Sequence, residues 1–110
     1  MNQEINKYLF DILESINSIE NYIGEKRDFF VYNSNKMLRR AVERELEIIG
    51  EALNHIDKID KNIEITSKRQ IINTRNRVIH SYDRIDNEII WGILIKYLPI
   101  LRTEVERLID

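Results

Sequence analysis

Arg75, Asn76, His80 and Tyr82 stand close together in the run Arg75-Asn76-Arg77-Val78-Ile79-His80-Ser81-Tyr82. An imidazole moves a proton near neutral pH, and a guanidinium holds a phosphate through paired hydrogen bonds. On RNA those two groups are enough for cleavage without a metal. His80 would remove the proton of a ribose 2′-hydroxyl, or give one to the departing 5′-oxygen. Arg75 would stabilise the extra negative charge on the phosphorus-centred transition state. Asn76 would orient the imidazole or hold a phosphate oxygen. The nucleophile is then the substrate's own hydroxyl, so the product carries a cyclic phosphate and DNA is inert.

Helical geometry adds a condition. Asn76 and His80 are four apart and share a face. Arg75 and His80 are five apart, about 140° around the axis. The arginine therefore reaches the histidine's side only along its flexible stem, or meets a histidine from a second copy. That spacing points to a composite site across a two-fold axis. Plainer readings stand beside this one. A surface arginine is usually solvated, and a histidine near a helix C-terminus complements the helix dipole. His55 is expected to do that second job on its own helix, and Tyr82 could be a core aromatic.

Composition sets the bounds. The chain has 110 residues, 43% hydrophobic and 33% charged, which fits one globular domain over residues 1–110. Three glycines and one proline favour long helices over a sheet. Zero cysteines remove disulfides, thiolate catalysis and cysteine-ligated zinc. No signal peptide or membrane-spanning run is evident, so a cytoplasmic location without membrane association is expected. The formal net charge of −2 argues against general nucleic-acid binding, which usually needs a positive surplus. Against that, Lys68, Arg69, Arg75, Arg77 and Arg84 gather around one segment as a local basic strip, which dimerisation would double.

Four amphipathic helices are expected to position these groups, packed as an all-α antiparallel four-helix bundle. In the first, Ile5, Leu9, Ile12, Ile16, Ile19 and Ile23 recur at helical steps, and Gly24 is placed to end it in the left-handed conformation. Residues 25–33 read as a connection pinned to the core by Phe29, Phe30 and Val31. The second helix runs from about Asn35 to His55 or Asp57. Its buried stripe is Leu38, Ala41, Val42, Ile49, Ala52, Leu53 and Ile56. Ser67 with Gln70 resembles a capping box and opens the third helix, which carries Ile71, Ile72, Val78, Ile79 and the motif. Asp86 caps the fourth, where Ile90, Trp91, Leu94, Leu98, Leu101, Val105 and Leu108 face inward and Pro99 should bend the axis. Arg40, Arg44, Glu47 and Glu51 share one face of helix two. They are either a solvated stripe of ion pairs or a source of carboxylates, Glu47 or Glu51, that orient Arg75. Gly50 in that helix fits close packing of a neighbour.

The run Arg75-Asn76-x-x-x-His80-x-Tyr82 resembles the signature of HEPN-domain proteins, specifically the HepT-like toxins paired with minimal nucleotidyltransferases. Two further segments carry the resemblance. Glu47-Ile48-Ile49-Gly50-Glu51-Ala52, preceded by Ala41-Val42-Glu43-Arg44, is similar to that family's helix two. Tyr82 through Trp91, then Leu98-Pro99-Ile100-Leu101, is similar to its fourth helix. The resemblance implies a homodimer and a metal-independent endoribonuclease, the toxin of a type VII-like toxin–antitoxin pair, with no cofactor and its site at the dimer interface. Arg75 and His80 match the catalytic pair and Asn76 their polar companion. Tyr82 matches the tyrosine that the nucleotidyltransferase antitoxin adenylylates to silence the toxin. In one respect the chain departs. Relatives commonly carry a proline–tryptophan pair at the entrance to helix three, where this chain reads Ile65-Thr66-Ser67-Lys68. A second function remains open, a catalytically silent helical module that binds a nucleotidyltransferase and presents substrate or nucleotide to it.

Overall fold

The computed structural model describes residues 2–73 and 87–109. Among the described residues there are five helical segments and no strand. These are α1 (Gln3–Ile23), α2 (Phe29–Ser34), α3 (Lys36–Ile59), α4 (helical over 68–73) and α5 (Asn87–Leu108). The architecture is the all-α bundle that the periodicity implies, with one short helix, α2, added inside the expected connection.

Each long helix begins and folds for a reason visible in its residues. Asn2 caps α1, its side-chain oxygen accepting from the amides of Glu4 and Ile5 at 2.7 and 3.3 Å. Ile5, Leu9, Ile12, Ile16 and Ile19 are then fully buried, each contributing roughly 1.5–3 kcal/mol of burial. Asn35 caps α3 through the Leu38 amide at 3.0 Å. That helix runs slightly further than expected, to Ile59, and packs as the chief neighbour of α1. Val42, Leu46, Ile49, Leu53 and Ile56 are its buried face. Leu38 and Ala41, expected inside, are only half-buried because they lie at the rim of the first turns. From α5 come Ile90, Leu94, Leu98, Leu101 and Val105, with Trp91 and Leu108 half-buried. Pro99 sits on the exposed side of α5, and the helix is continuous through it. The carbonyl that loses its intrahelical donor there belongs to Ile95, itself partly exposed, so water can serve it.

The α1–α3 connection differs from its sequence reading. Asp28 caps α2, accepting from the amides of Phe30 and Val31 at 2.8 and 3.4 Å. Phe30 and Val31, expected to pin the segment, point outward at 80% and 55% exposure. The anchors are Tyr32, buried, and Phe29, half-buried against Trp91 with ring centroids 5.9 Å apart. A helical period, not an extended one, decides which of these aromatics turns inward.

Gly24 ends α1, its amide donating to the Glu20 carbonyl at 3.0 Å. Its φ of 70° is positive, but ψ is 178°, so it is not in the left-handed helical conformation expected. That extended region at positive φ is essentially restricted to glycine. A Cβ added there meets nothing within 4 Å, so any penalty is purely conformational. Gly24→Ala should therefore destabilise the fold by about 1–3 kcal/mol with no steric clash. A urea unfolding midpoint equal to that of the wild type would refute this.

Candidate functional site

The motif joins residue 73 on α4 to Asn87, the first residue of α5. Arg75, Asn76, Arg77, His80, Tyr82 and Arg84 all lie outside the described residues, as do Val78, Ile79 and the expected helix cap Asp86. The structure does show how the chain is held on either side of them.

At the entrance to α4, three buried residues set the path: Ile65, Ser67 and Ile71. Two polar ties then fix its direction. The Glu104 carboxylate on α5 accepts from the Thr66 amide at 2.9 Å and from the Thr66 hydroxyl at 3.3 Å. On the other side, the Lys68 ammonium bonds the Asp57 carboxylate of α3 at 2.5 Å. The expected capping box is not what opens this helix. Ser67 does accept from the Ile71 amide with its backbone carbonyl, at 3.1 Å. Its hydroxyl, however, is buried and finds no partner. The carboxylate of Glu104, on another helix, instead holds Thr66, the residue just before Ser67. This is the segment, Ile65 to Lys68, where the sequence departs from the pattern it otherwise resembles, and here polar ties hold it in place.

The basic strip changes accordingly. Arg69 is exposed on α4. Lys68 is less exposed and its charge is engaged by Asp57, so it serves the fold at least as much as any ligand. The Lys68 hydrogen bond, with the charges of Lys68 and Lys61 adding to it, holds the Asp57 carboxyl below its ordinary value of 3.8.

On α3 the two readings of the charged face can be compared directly. Arg44 pairs with Glu47 at 3.2 Å, the intrahelical ion pair of the plainer reading. Glu47 is half-buried and Glu51 exposed. The carboxylate that truly goes inside is Glu43, 4% exposed, bonded by Arg40 at 2.9 Å. Sequence reasoning passed over it, although Glu43 falls on the same 3–4 step as Leu46, Gly50 and Leu53, all buried. That register was the available signal. Gly50 is buried, in keeping with close packing on that side. His55 does not complement a helix end. It lies a turn short of the terminus and stacks on Tyr8 of α1, ring centroids 4.8 Å apart and nearly parallel, while Lys58 occupies the last turn. Asp57 and Glu104 were also missed, and no local signal marks them, because their partners lie 11 and 38 residues away in sequence.

The described residues form an all-α bundle, and the arginine–histidine run follows α4 in the chain. Comparison with known proteins makes the assignment specific: this chain belongs to the ribonuclease HepT-like family, which matches residues 12–108. It is 34% identical over 105 residues to a protein of Methanocaldococcus jannaschii named as a candidate RNase, covering 94% of this chain and 95% of that one. A second candidate RNase of the same organism is 33% identical over 109 residues, covering 97% and 88%. A candidate ribonuclease HepT of Thermococcus cleftensis is 34% identical over 104 residues, covering 92% of each chain. No solved structure gives a significant match. No described helix is long and apolar enough to cross a membrane.

The ties at the α4 entrance make a pH-dependent prediction. Because Asp57 ionises below its unfolded value when the chain is folded, its contribution is present above that value and disappears as pH falls through the lowered one. Asp57→Asn should unfold at a lower temperature than the wild type at pH 6, the two melting curves converging as pH drops below 3.8. A constant difference across that range would contradict the assignment. Glu104→Ala should cost about 0.5–1.5 kcal/mol, as loss of a hydrogen bond does, and speed hydrogen exchange at the Thr66 amide. Unchanged exchange at that amide would show that the bond contributes nothing.

Proposed function

We propose that this chain is a metal-independent endoribonuclease that cleaves RNA through attack of the 2′-hydroxyl. The observation that supports it most strongly is membership of the ribonuclease HepT-like family over residues 12–108, a span that contains the whole Arg75 to Tyr82 run. In this reading His80 transfers the proton, and Arg75 neutralises charge on the phosphate. Asn76 holds the imidazole or an oxygen in place, and Glu47 or Glu51 on α3 orients Arg75. Arg69, Arg77 and Arg84, with whatever charge Lys68 retains, draw the RNA backbone in.

Two copies pool their arginines and histidines in one interface, which answers the 140° separation of Arg75 and His80 on a helix. The chain acts as the toxin of a toxin–antitoxin pair whose partner is a minimal nucleotidyltransferase. That partner adenylylates Tyr82, and the added anionic group beside His80 then repels an RNA phosphate. The partner supplies the ATP and metal for this step, and the ribonuclease itself uses neither.

The deciding experiment incubates unmodified protein, verified by intact mass, with total RNA in EDTA. Cleavage with cyclic-phosphate ends is expected, and His80→Ala should lower its rate by roughly 10²–10⁴-fold, the usual contribution of a positioned proton-transfer group. A His80→Ala variant as active as the wild type would remove His80 from the chemistry. No cleavage by unmodified wild type would favour the silent partner-binding module instead.

A further inference from the structure

Where the end of α1, the short helix α2 and the first turns of α5 meet, there is a cavity of about 350 Å³. Tyr22, Tyr32 and Trp91 line it with aromatic rings, Val31 and Leu38 add aliphatic surface, and Lys26 stands at it beside the carboxylates of Glu25 and Asp28. The Tyr32 and Trp91 rings stand 5.2 Å apart, so the wall is continuous. Tyr32 is 1% exposed, yet its hydroxyl has no hydrogen-bond partner. Burial, reinforced by the nearby Glu43 carboxylate and only partly opposed by Arg39, raises its pKa far enough to keep it protonated. An unpartnered buried hydroxyl costs about 1–3 kcal/mol, so a fold that retains one calls for an explanation.

We propose that this cavity receives one unpaired base of the RNA substrate, stacked on the aromatic wall, with the Tyr32 hydroxyl gaining the partner it lacks. The inference rests on the ribonuclease reading and adds to it a subsite for single-stranded RNA. Three observations carry it. The volume lies at the low end of small-molecule sites, roughly 300–1,000 Å³, which suits a single base rather than a longer segment. Proteins that bind unpaired RNA stack its bases on aromatic side chains and hold the flanking phosphates with cations, the roles of Tyr22, Trp91 and Lys26 here. The third is chain order. Trp91 lies in the first turns of α5, the helix that follows the catalytic run in the chain. The Asn87 side chain donates to the Asn33 side-chain oxygen at 2.8 Å and so holds the start of α5 to α2.

The chain has a single tryptophan, so its indole N–H resonance is assigned without ambiguity. The test titrates the four ribonucleoside 5′-monophosphates into labelled protein and follows that resonance, with inorganic phosphate as the control. A saturable shift with at least one nucleotide and none with phosphate is expected. Tyr22→Ala, an exposed change, should weaken that binding at least about five-fold through lost stacking. Tyr32→Phe should weaken it by about five-fold, one hydrogen bond, while leaving the free protein as stable as the wild type or more so. No saturable shift with any nucleotide would overturn the proposal, as would equal shifts with phosphate alone. Unchanged affinity in both variants would also overturn it. Mononucleotides are not cleaved, so this outcome is independent of catalysis. Protein that cleaves RNA but shows no indole shift keeps the ribonuclease reading and loses the base subsite.

Discussion

The entrance to α4 is the constraint on which the rest depends, because in the chain it leads directly to the Arg75–Tyr82 run. Two kinds of force hold it, and they do different work. Burial of Ile65 and Ile71 supplies the energy, roughly 1.5–3 kcal/mol for each side chain. The ion pair of Lys68 with Asp57 is part-exposed and adds little, because solvent screens it. Apolar contacts are non-directional, however, and would tolerate rotation of the segment. Thr66 bonded to α5 and Lys68 bonded to α3 pin opposite sides of one short stretch, so the polar ties set orientation where the apolar contacts set stability.

This division explains what could be read from the sequence and what could not. The long helices were legible because burial repeats at helical steps, and Ile5 to Ile19 and Ile90 to Val105 fall where that rule places them, while Asn35 and Gly24 bound their helices by residue type, Gly24 in a different conformation from the one expected. Phe29, Phe30 and Val31 were misjudged because three adjacent apolar residues give no period. The inward pair, Phe29 and Tyr32, becomes visible only once residues 29–34 are known to be helical. Ser67 satisfied a local capping pattern, but its hydroxyl is buried without a partner, and the segment is held instead by a carboxylate 38 residues beyond Thr66. His55 looked like a helix-end histidine until Tyr8 of α1 came up against it. Local rules gave the elements, and the misses at Ser67, His55, Asp57 and Glu104 involve a partner from another element. The run from Arg75 to Tyr82 lies outside the described residues, so its reading rests on residue types and spacing rather than on geometry.

The acidic balance follows from the same separation of roles. Many of the carboxylates have work inside the fold. Asp57 and Glu104 fix α4, Glu20 receives Arg102 and ties α5 to α1, Glu43 receives Arg40, Glu47 receives Arg44, and Glu45 accepts from Tyr22. A carboxylate paired this way projects little field. Screening weakens the remainder further, since the Debye length is about 8 Å at physiological ionic strength. A phosphate approaching α4 therefore responds to the charges near it and hardly at all to the sum over the chain. Near it stand Arg69, exposed, and in sequence Arg75, Arg77 and Arg84, with one lysine withdrawn into an ion pair. A net charge of −2 and affinity for an RNA backbone are compatible for that reason, and the arrangement favours short, local contact over general nucleic-acid binding.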